Sequence, residues 1–139
     1  ILVKEDAFAD LGIEEKGKFK TLFETGFLGK NDFPYTNGWL INNHPFFEKN
    51  KLPVAKGITV NKISDDHFHN QSNKQNFSAD IESMEGAAFH YACLQQKINF
   101  LQLRSISNVV GERDKTKWKV KKAIENLNNE LLKIIKENK

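Results

Sequence analysis

Two short stretches of the sequence have the residue types and spacing that could do chemistry. Residues 83–88 place one carboxylate, Glu85, before a run of small residues, as at the start of a helix. Residues 104–108 follow an apolar segment and end in Ser107 and Asn108, as at the end of a strand. An open α/β sheet places its ligand-contacting groups at such ends, so these side chains are the first candidates for a site.

Glu85 has two interpretations that the residues leave open. A carboxylate at a helix N-terminus is favoured by the helix dipole, so Glu85 is on one interpretation only a first-turn acid. On the other, its two oxygens accept hydrogen bonds from the vicinal hydroxyls of a sugar. Met84 would then offer a polarizable surface to the sugar, and Gly86 would allow a ligand to approach the backbone closely.

Arg104 and Asn108 fall on one face of the predicted strand, because side chains alternate with a period of two. The NH2 group of Asn108 can donate to N7 or O6 of a purine, which are both acceptors. An amide here therefore suits a 6-oxopurine such as hypoxanthine better than adenine. An arginine on a strand needs a carboxylate or an anion as its partner, and Glu85 is the candidate.

Other kinds of site find less support. His67 and His69 are two residues apart, but no Cys or carboxylate joins them at zinc-like spacing. His90 is expected to be a packed or capping residue, and Cys93 a buried thiol on a helix rather than a nucleophile. We therefore expect no metal and no cofactor. A single cysteine excludes an internal disulfide and favours a reducing, cytoplasmic compartment.

The composition indicates one soluble domain over residues 1–139, with 39% hydrophobic and 28% charged residues. The net charge of +3 is concentrated in the lysine-rich segment 115–122. A solvated helix face explains that segment better than a nucleic-acid site, because no aromatic residues are interleaved with the lysines. No apolar run has membrane length. The chain begins at Ile1 without Met, and we expect the N-terminal part of a larger domain to be absent from it.

Strands alternate with helices from residue 54 onward, which predicts an α/β sheet packed by helices. Predicted strands are 1–3, 54–60, 78–83 and 100–106, and residues 4–17 are expected to be a polar connection. Predicted helices are 39–49 (weak, interrupted by Pro45), 67–74 (capped by Asp65 or Asp66), 85–97, and an amphipathic helix from residue 120.

A long loop over residues 26–38 holds several aromatic residues and is followed by Trp39. Loops of this length are uncommon in compact domains and are often functional. Three interpretations remain open: the aromatic residues fasten the loop to the core, they form a wall or lid over a ligand, or they face a second subunit.

The two stretches also carry a family resemblance. Residues 84–88 (Met-Glu-Gly-Ala-Ala) and 104–108 (Arg-Ser-Ile-Ser-Asn) resemble the nucleoside phosphorylase and nucleosidase superfamily. Its members have Met-Glu followed by small residues, then Arg-x-Ile-Ser-Asp at the next strand end. Within the superfamily the sequence is similar to the futalosine hydrolases, nucleosidases of a menaquinone pathway, most clearly over residues 59–118.

The resemblance implies a three-layer fold with a central mixed, twisted sheet flanked by helices, of which this chain would hold roughly the C-terminal two-thirds. It implies hydrolysis of an N-glycosidic bond, releasing hypoxanthine from futalosine or a related 6-oxopurine nucleoside, in a homo-oligomer. Two alternatives share the fold: a purine nucleoside phosphorylase, and an adenosylhomocysteine/methylthioadenosine nucleosidase. A third is a non-catalytic nucleoside-binding module.

The resemblance also assigns roles to single residues. Glu85 would hold the ribose hydroxyls, Met84 would pack on the sugar, and Arg104 would orient Glu85 from beneath. Asn108 would take the position of the nucleosidases' catalytic Asp, with Ser107 steadying it. The base would contact Asn61, Lys62 and Ser64. The superfamily's N-terminal strands, which bring the phosphate or water site and a water-activating Glu, have no counterpart in these residues.

Overall fold

The structure is a computed structural model that describes residues 1–137 of the 139-residue chain. Among these residues, six strands form one mixed sheet and two form a separate hairpin. In chain order the elements are β1 (Leu2–Phe8), β2 (Gly12–Glu15), β3 (Lys18–Thr21), β4 (Tyr35–Thr36), β5 (Trp39–Ile41), α1 (Phe46–Lys49), β6 (Val54–Thr59), α2 (His67–Phe77), β7 (Ile81–Ser83), α3 (Gly86–Gln95), β8 (Gln102–Leu103), a 3-10 turn (Lys115–Lys117) and α4 (Val120–Glu137).

The central strand of the mixed sheet is β1. It runs parallel to β6, which in turn runs parallel to β7, and it runs antiparallel to β5 and β8. The strand order is β4-β5-β1-β6-β7, and β8 pairs with the beginning of β1. Helix α3 packs across β1, β5 and β6. The predicted α/β class, a mixed sheet flanked by helices, is therefore confirmed.

The first strand is longer than the sequence predicted, because β1 continues to Phe8 instead of ending at Val3. Its charged residues have partners on neighbouring strands: Glu5 pairs with Lys56 at 2.9 Å, and Asp6 is fully buried and hydrogen bonded. The expected polar connection after Val3 is therefore wrong up to the end of β1. It is also wrong for the β2–β3 hairpin, whose tight turn has two consecutive residues with positive φ.

Two other predicted elements differ from the structure. Residues 39–49 form β5 first and are helical only in α1, because Pro45 has no N–H to donate and stands before the first turn. Of the predicted strand 100–106, β8 covers two residues. The Arg104 N–H still donates to the Ile1 carbonyl at 3.0 Å, and beyond it the chain leaves the sheet.

Four other predicted elements are confirmed, and of the predicted strand 78–83 only Ile81–Ser83 is extended, as β7. The strand β6 and the helices α2, α3 and α4 lie where the sequence predicted them. Asp66 caps α2, since its Oδ1 accepts the Phe68 N–H at 2.8 Å. The apolar face of α4 buries Ala123 and leaves Ile124 and Leu131 about half exposed. No helix within residues 1–137 is both long and apolar enough to cross a bilayer.

The aromatic loop divides into an inward and an outward part. Tyr35 is buried, meets Phe23 edge-on at 5.2 Å between ring centroids, and lies 6.0 Å from Tyr91 of α3. Phe27 and Phe33 point outward, with 77% and 63% of their surface exposed. Tyr35 therefore fastens the loop to the core, while the two phenylalanines present apolar surface.

Candidate functional site

The three parallel strands β1, β6 and β7 end side by side, and the candidate residues lie just beyond these ends. The register pairs Phe8 with Thr59 and Thr59 with Ser83, so the carboxyl ends of the strands are level. Asp10 follows β1, and Glu85 follows β7. Ligands in open α/β sheets bind at this edge.

Asp10 ties the end of β1 to the loop after β6. Its Oδ2 accepts the backbone N–H groups of Asn61 at 2.6 Å and Lys62 at 3.1 Å, and its Oδ1 accepts the Asn61 side-chain amide at 3.0 Å. Asp10 was predicted from the sequence only as part of the polar connection of residues 4–17, so this role was missed. Three acceptor contacts from one carboxylate fix the loop that the resemblance assigned to the base. Contact of Asn61, Lys62 and Ser64 with a base stays a prediction.

Glu85 is the N-cap residue of α3, but its side chain does not cap the helix. The side chain is 75% exposed, and its nearest charged partner is Arg104, with Nη1 4.0 Å from Oε2. Two first-turn N–H groups of α3 are satisfied by other side chains: Gly86 donates to Ser83 Oγ at 3.1 Å, and Ala87 donates to Thr59 Oγ1 at 2.7 Å. The carboxylate is therefore available to a ligand.

The neighbours of Glu85 lie as the sequence suggested. Met84 is 43% exposed beside it, so an apolar surface borders the carboxylate. Arg104 approaches the carboxylate without hydrogen bonding, because 4.0 Å exceeds a normal N–H···O distance. Its backbone is fixed by the β1 edge through Ile1. Met84, Glu85 and Arg104 are thus brought together, and their roles in sugar binding stay predictions.

Asn108 lies on the loop after β8, with its side-chain amide held by local contacts. Its Oδ1 accepts from Ser107 Oγ at 2.6 Å, and its Nδ2 donates to the Val109 carbonyl at 3.0 Å. The carbonyl of Ser107 is itself held by the Lys119 N–H at 2.8 Å. Because an amide has two N–H donors, one remains for a ligand.

The loop after Asn108 approaches helix α2. A Cβ built on Gly111 would lie 3.1 Å from Asn70 Nδ2 of α2, and that amide donates to the Ser64 carbonyl at 2.9 Å. No hydrogen bond or ion pair within residues 1–137 joins Asn108 to Glu85 directly. The structure therefore brings Met84, Glu85 and Arg104 together and holds the loop of Asn61, Lys62 and Ser64 at the carboxyl edge of the parallel strands, while Asn108 follows β8, which runs antiparallel to β1.

A buried polar cluster lies beneath this edge, and it was not predicted from the sequence. Asp6 is fully buried in β1; its Oδ1 accepts from Thr59 Oγ1 at 2.9 Å, and its Oδ2 from Gln102 Nε2 at 3.0 Å. Burial raises the pKa of Asp6, and the hydrogen bonds from Gln102 and Thr59 oppose that shift. A Cβ built on Gly86 would collide with Asp6 Oδ2, so the first turn of α3 rests directly on this carboxylate.

His90 is a packed core residue, as predicted. It is fully buried in α3, its ring centroid lies 4.8 Å from that of Phe100, and its Nδ1 is 3.1 Å from the Leu40 carbonyl. Since a carbonyl only accepts, Nδ1 bears the proton of the neutral ring. Burial lowers the pKa of His90, and the positive charge of Arg104 adds to the shift, while the Leu40 contact and the charge of Asp6 oppose it.

We expect His90→Phe to reduce the loss of stability on acidification. Because the folded-state pKa of His90 lies below its ordinary value of 6.5, the unfolded chain takes up this proton first as the pH falls. The stabilisation is complete above pH 6.5 and is lost as the pH falls through the folded-state pKa. Removing the imidazole should lower the slope of unfolding free energy against pH by up to about 1.4 kcal/mol per pH unit in that window.

Urea unfolding of the two proteins across this pH range measures the slopes. The Asp6 contribution has the opposite sign, because its raised pKa makes it present below 3.8 and lost at higher pH, and removing the charge of His90 removes one of the influences that lower this pKa. His67→Phe, at an exposed position in α2, is the matched control and should leave the slope unchanged. An unaltered slope in His90→Phe would contradict the assignment.

Metal and thiol chemistry find no geometric support. Within the described residues, no group of three His, Cys, Asp or Glu side chains could hold a metal ion. The side chain of His69 is outside the description. Cys93 is half-buried on α3 rather than fully buried as expected.

Comparison with known proteins gives three matches. The sequence matches the family described as the phosphorylase superfamily over residues 5–137. It is 33% identical over 141 residues to futalosine hydrolase of Thermus thermophilus, a match that covers 99% of this chain and 61% of that protein. The fold matches a crystal structure of an MTA/SAH nucleosidase with a TM-score of 0.65, over 97% of this chain and 52% of the other, at 21% identity. This chain therefore spans less than two-thirds of either protein's length.

Proposed function

Because the chain belongs to the phosphorylase superfamily, we propose that the full-length protein is a nucleosidase that hydrolyses the N-glycosidic bond of a purine nucleoside. The observation that supports this most is the exposed, uncapping carboxylate of Glu85 at the carboxyl edge of the parallel strands. The similarity to a protein named futalosine hydrolase points to the same reaction class. Residues 1–139 form, on this proposal, roughly the C-terminal two-thirds of one domain.

In the proposed site, Glu85 accepts hydrogen bonds from the ribose hydroxyls and Met84 packs against the sugar. Arg104 orients Glu85. The reaction proceeds through an oxocarbenium-like state in which negative charge develops on the departing base. A hydrogen-bond donor aimed at that charge stabilises the transition state, and we assign this role to Asn108, steadied by Ser107.

The proposed base is a 6-oxopurine, hypoxanthine in the case of futalosine. Recognition of adenine by an asparagine uses both amide atoms, N–H to N7 and oxygen to the 6-amino group. Here the Ser107 hydroxyl already occupies one of the two lone pairs of the Asn108 oxygen, which makes that oxygen a poorer acceptor for the base, while one N–H of the amide remains to donate. Both N7 and O6 of hypoxanthine are acceptors. The loop of Asn61, Lys62 and Ser64 would border the base from the β6 side.

We also propose that the protein is a homo-oligomer, a dimer or larger. Phe27 and Phe33 expose apolar surface on a loop that Tyr35 fastens to the core, and such surface is suited to burial against a second subunit. No metal or cofactor enters the proposed reaction.

The test is a product assay on the full-length protein with futalosine and inosine, each with and without phosphate. We expect hypoxanthine release from futalosine in phosphate-free buffer, with the free sugar as co-product. A sugar 1-phosphate and a requirement for phosphate would instead indicate a phosphorylase. Adenine release from methylthioadenosine in preference to both substrates would indicate the related nucleosidase. Binding without release of any base would leave a non-catalytic module.

A further inference from the structure

The N-terminus of α3 is capped from a neighbouring strand. Residues at the N-cap position ordinarily use their own side chain to accept a first-turn N–H. Glu85 does not, and the Ala87 N–H is instead accepted by Thr59 Oγ1 of β6 at 2.7 Å, in a buried contact. Thr59 is only 2% exposed, so water does not substitute for it.

The direction of the Thr59 hydroxyl is fixed by Asp6. A hydroxyl has one donor hydrogen and two acceptor lone pairs. Its hydrogen goes to Asp6 Oδ1 at 2.9 Å, which leaves the lone pairs for the Ala87 N–H. Asp6 is in turn held by Gln102 Nε2 at 3.0 Å. The cap is therefore part of a chain of buried hydrogen bonds that runs from β8 through β1 and β6 to α3.

Loss of the Thr59 hydroxyl would leave a buried donor without an acceptor. A buried N–H group without an acceptor is costly, so the structure is expected to adjust until another acceptor reaches the Ala87 N–H. The carboxylate of Glu85 is at the N-cap position, where the helix dipole favours a negative charge, and its oxygens can accept a first-turn N–H. In capping α3 it would turn away from the solvent-facing side, where the proposed sugar binds.

We propose that Thr59 is a positioning residue of the site: it caps α3 in place of Glu85 and so keeps the Glu85 carboxylate free for the ribose hydroxyls. The proposal rests on the proposed function. Thr59 touches no substrate, and it acts through Glu85. Its effect should therefore depend on the presence of that carboxylate.

Four variants of the full-length protein test this: Thr59→Val, Thr59→Ser, Glu85→Gln and the double variant that combines Thr59→Val with Glu85→Gln. We expect Thr59→Val to lower kcat/KM for the nucleoside by about 10²-fold and to leave affinity for free hypoxanthine unchanged, because the base makes no use of Glu85. Thr59→Ser keeps the hydroxyl and should stay within about threefold of the wild type. In the Glu85→Gln background, Thr59→Val should lower kcat/KM by less than about a further threefold. If Thr59→Val instead damaged the structure independently of Glu85, the losses of the two single variants would multiply.

Hydrogen exchange at the Ala87 amide tests the cap without reference to activity. Exchange should be faster in Thr59→Val, because a cap from the solvent-exposed Glu85 side chain protects the amide less than the buried Thr59 hydroxyl does, and it should be unchanged in Thr59→Ser. Thr25→Val is the matched control, since the Thr25 hydroxyl donates to the Leu22 carbonyl and makes no bond to α3. Should Thr59→Val not fold, Thr59→Cys offers a weak acceptor of similar size. Unchanged exchange at Ala87 would overturn the role of Thr59, and so would a loss of kcat/KM in the double variant equal to the product of the two single losses. Either result would leave the proposed function of the protein untouched. A wild-type protein that releases no base from any nucleoside overturns the proposed function and this role with it.

Discussion

Glu85→Gln is expected to lower kcat/KM for the nucleoside by about 10²-fold while the protein stays folded. Gln keeps the shape of the side chain but replaces one charged acceptor oxygen with an NH2 group, which cannot accept from a hydroxyl. Hydrogen bonds to charged groups contribute about 1.5–3 kcal/mol each, so losing one accounts for a loss of this size. Glu85→Ala removes both acceptor oxygens and should therefore lower kcat/KM further than Glu85→Gln does.

The folded state should tolerate both changes. The Glu85 side chain makes no cap and only a 4.0 Å ion pair with Arg104, and it is 75% exposed. Exposed pairs of this kind contribute little, so thermal unfolding should shift by less than about 3 °C. Steady-state kinetics and a melting curve on the same preparation separate the two effects. Glu14→Gln, at an exposed position in β2, is the control. A Glu85 variant that is inactive because it is unfolded would favour the role of a helix-terminus acid.

The sequence predicted best the elements whose pattern is local. The periodicity of α4, the β-branched run of β6 and the small residues of α3 each determine their own element, and each is in the structure. The sequence predicted β1 worst, because residues far away in the sequence stabilise that strand. Asp6 is tolerated at the centre of the sheet because Thr59 and Gln102, far away in sequence, donate to both of its oxygens. Without knowledge of those partners, a carboxylate argues against a buried strand.

The candidate site divides in the same way. Glu85, Arg104 and Asn108 were found from residue type and spacing, and the sequence also anticipated the approach of Arg104 to Glu85. The two interpretations of Glu85 could not be separated, because the side chain that caps α3 comes from another strand. Asp10 was missed for a related reason: its three contacts are to a loop some fifty residues later. Polar contacts between residues that are far apart in the sequence produce no periodic pattern, so they cannot be predicted from local residue spacing.

Asn108→Ala is expected to lower kcat by about 10²- to 10³-fold, with a smaller change in substrate binding. The amide's remaining N–H would be worth most when negative charge develops on the leaving purine, so its loss acts on the transition state more than on the bound substrate. Asn99→Ala, at an exposed position before β8, is the matched control. Separate determination of kcat and KM is the measurement, and undiminished turnover would refute the role.

Asn108→Asp probes the base as well as the reaction. A carboxylate accepts from the 6-amino group of adenine, and it cannot donate to O6 of hypoxanthine unless it is protonated. The ratio of kcat/KM for an adenine nucleoside to that for its hypoxanthine counterpart should therefore rise, by about tenfold or more for one exchanged hydrogen bond. Ser107 can still donate to the new carboxylate, whereas the hydrogen bond from Nδ2 to the Val109 carbonyl is lost. A ratio that stays constant while both activities fall would mean that Asn108 serves the loop and not the purine edge.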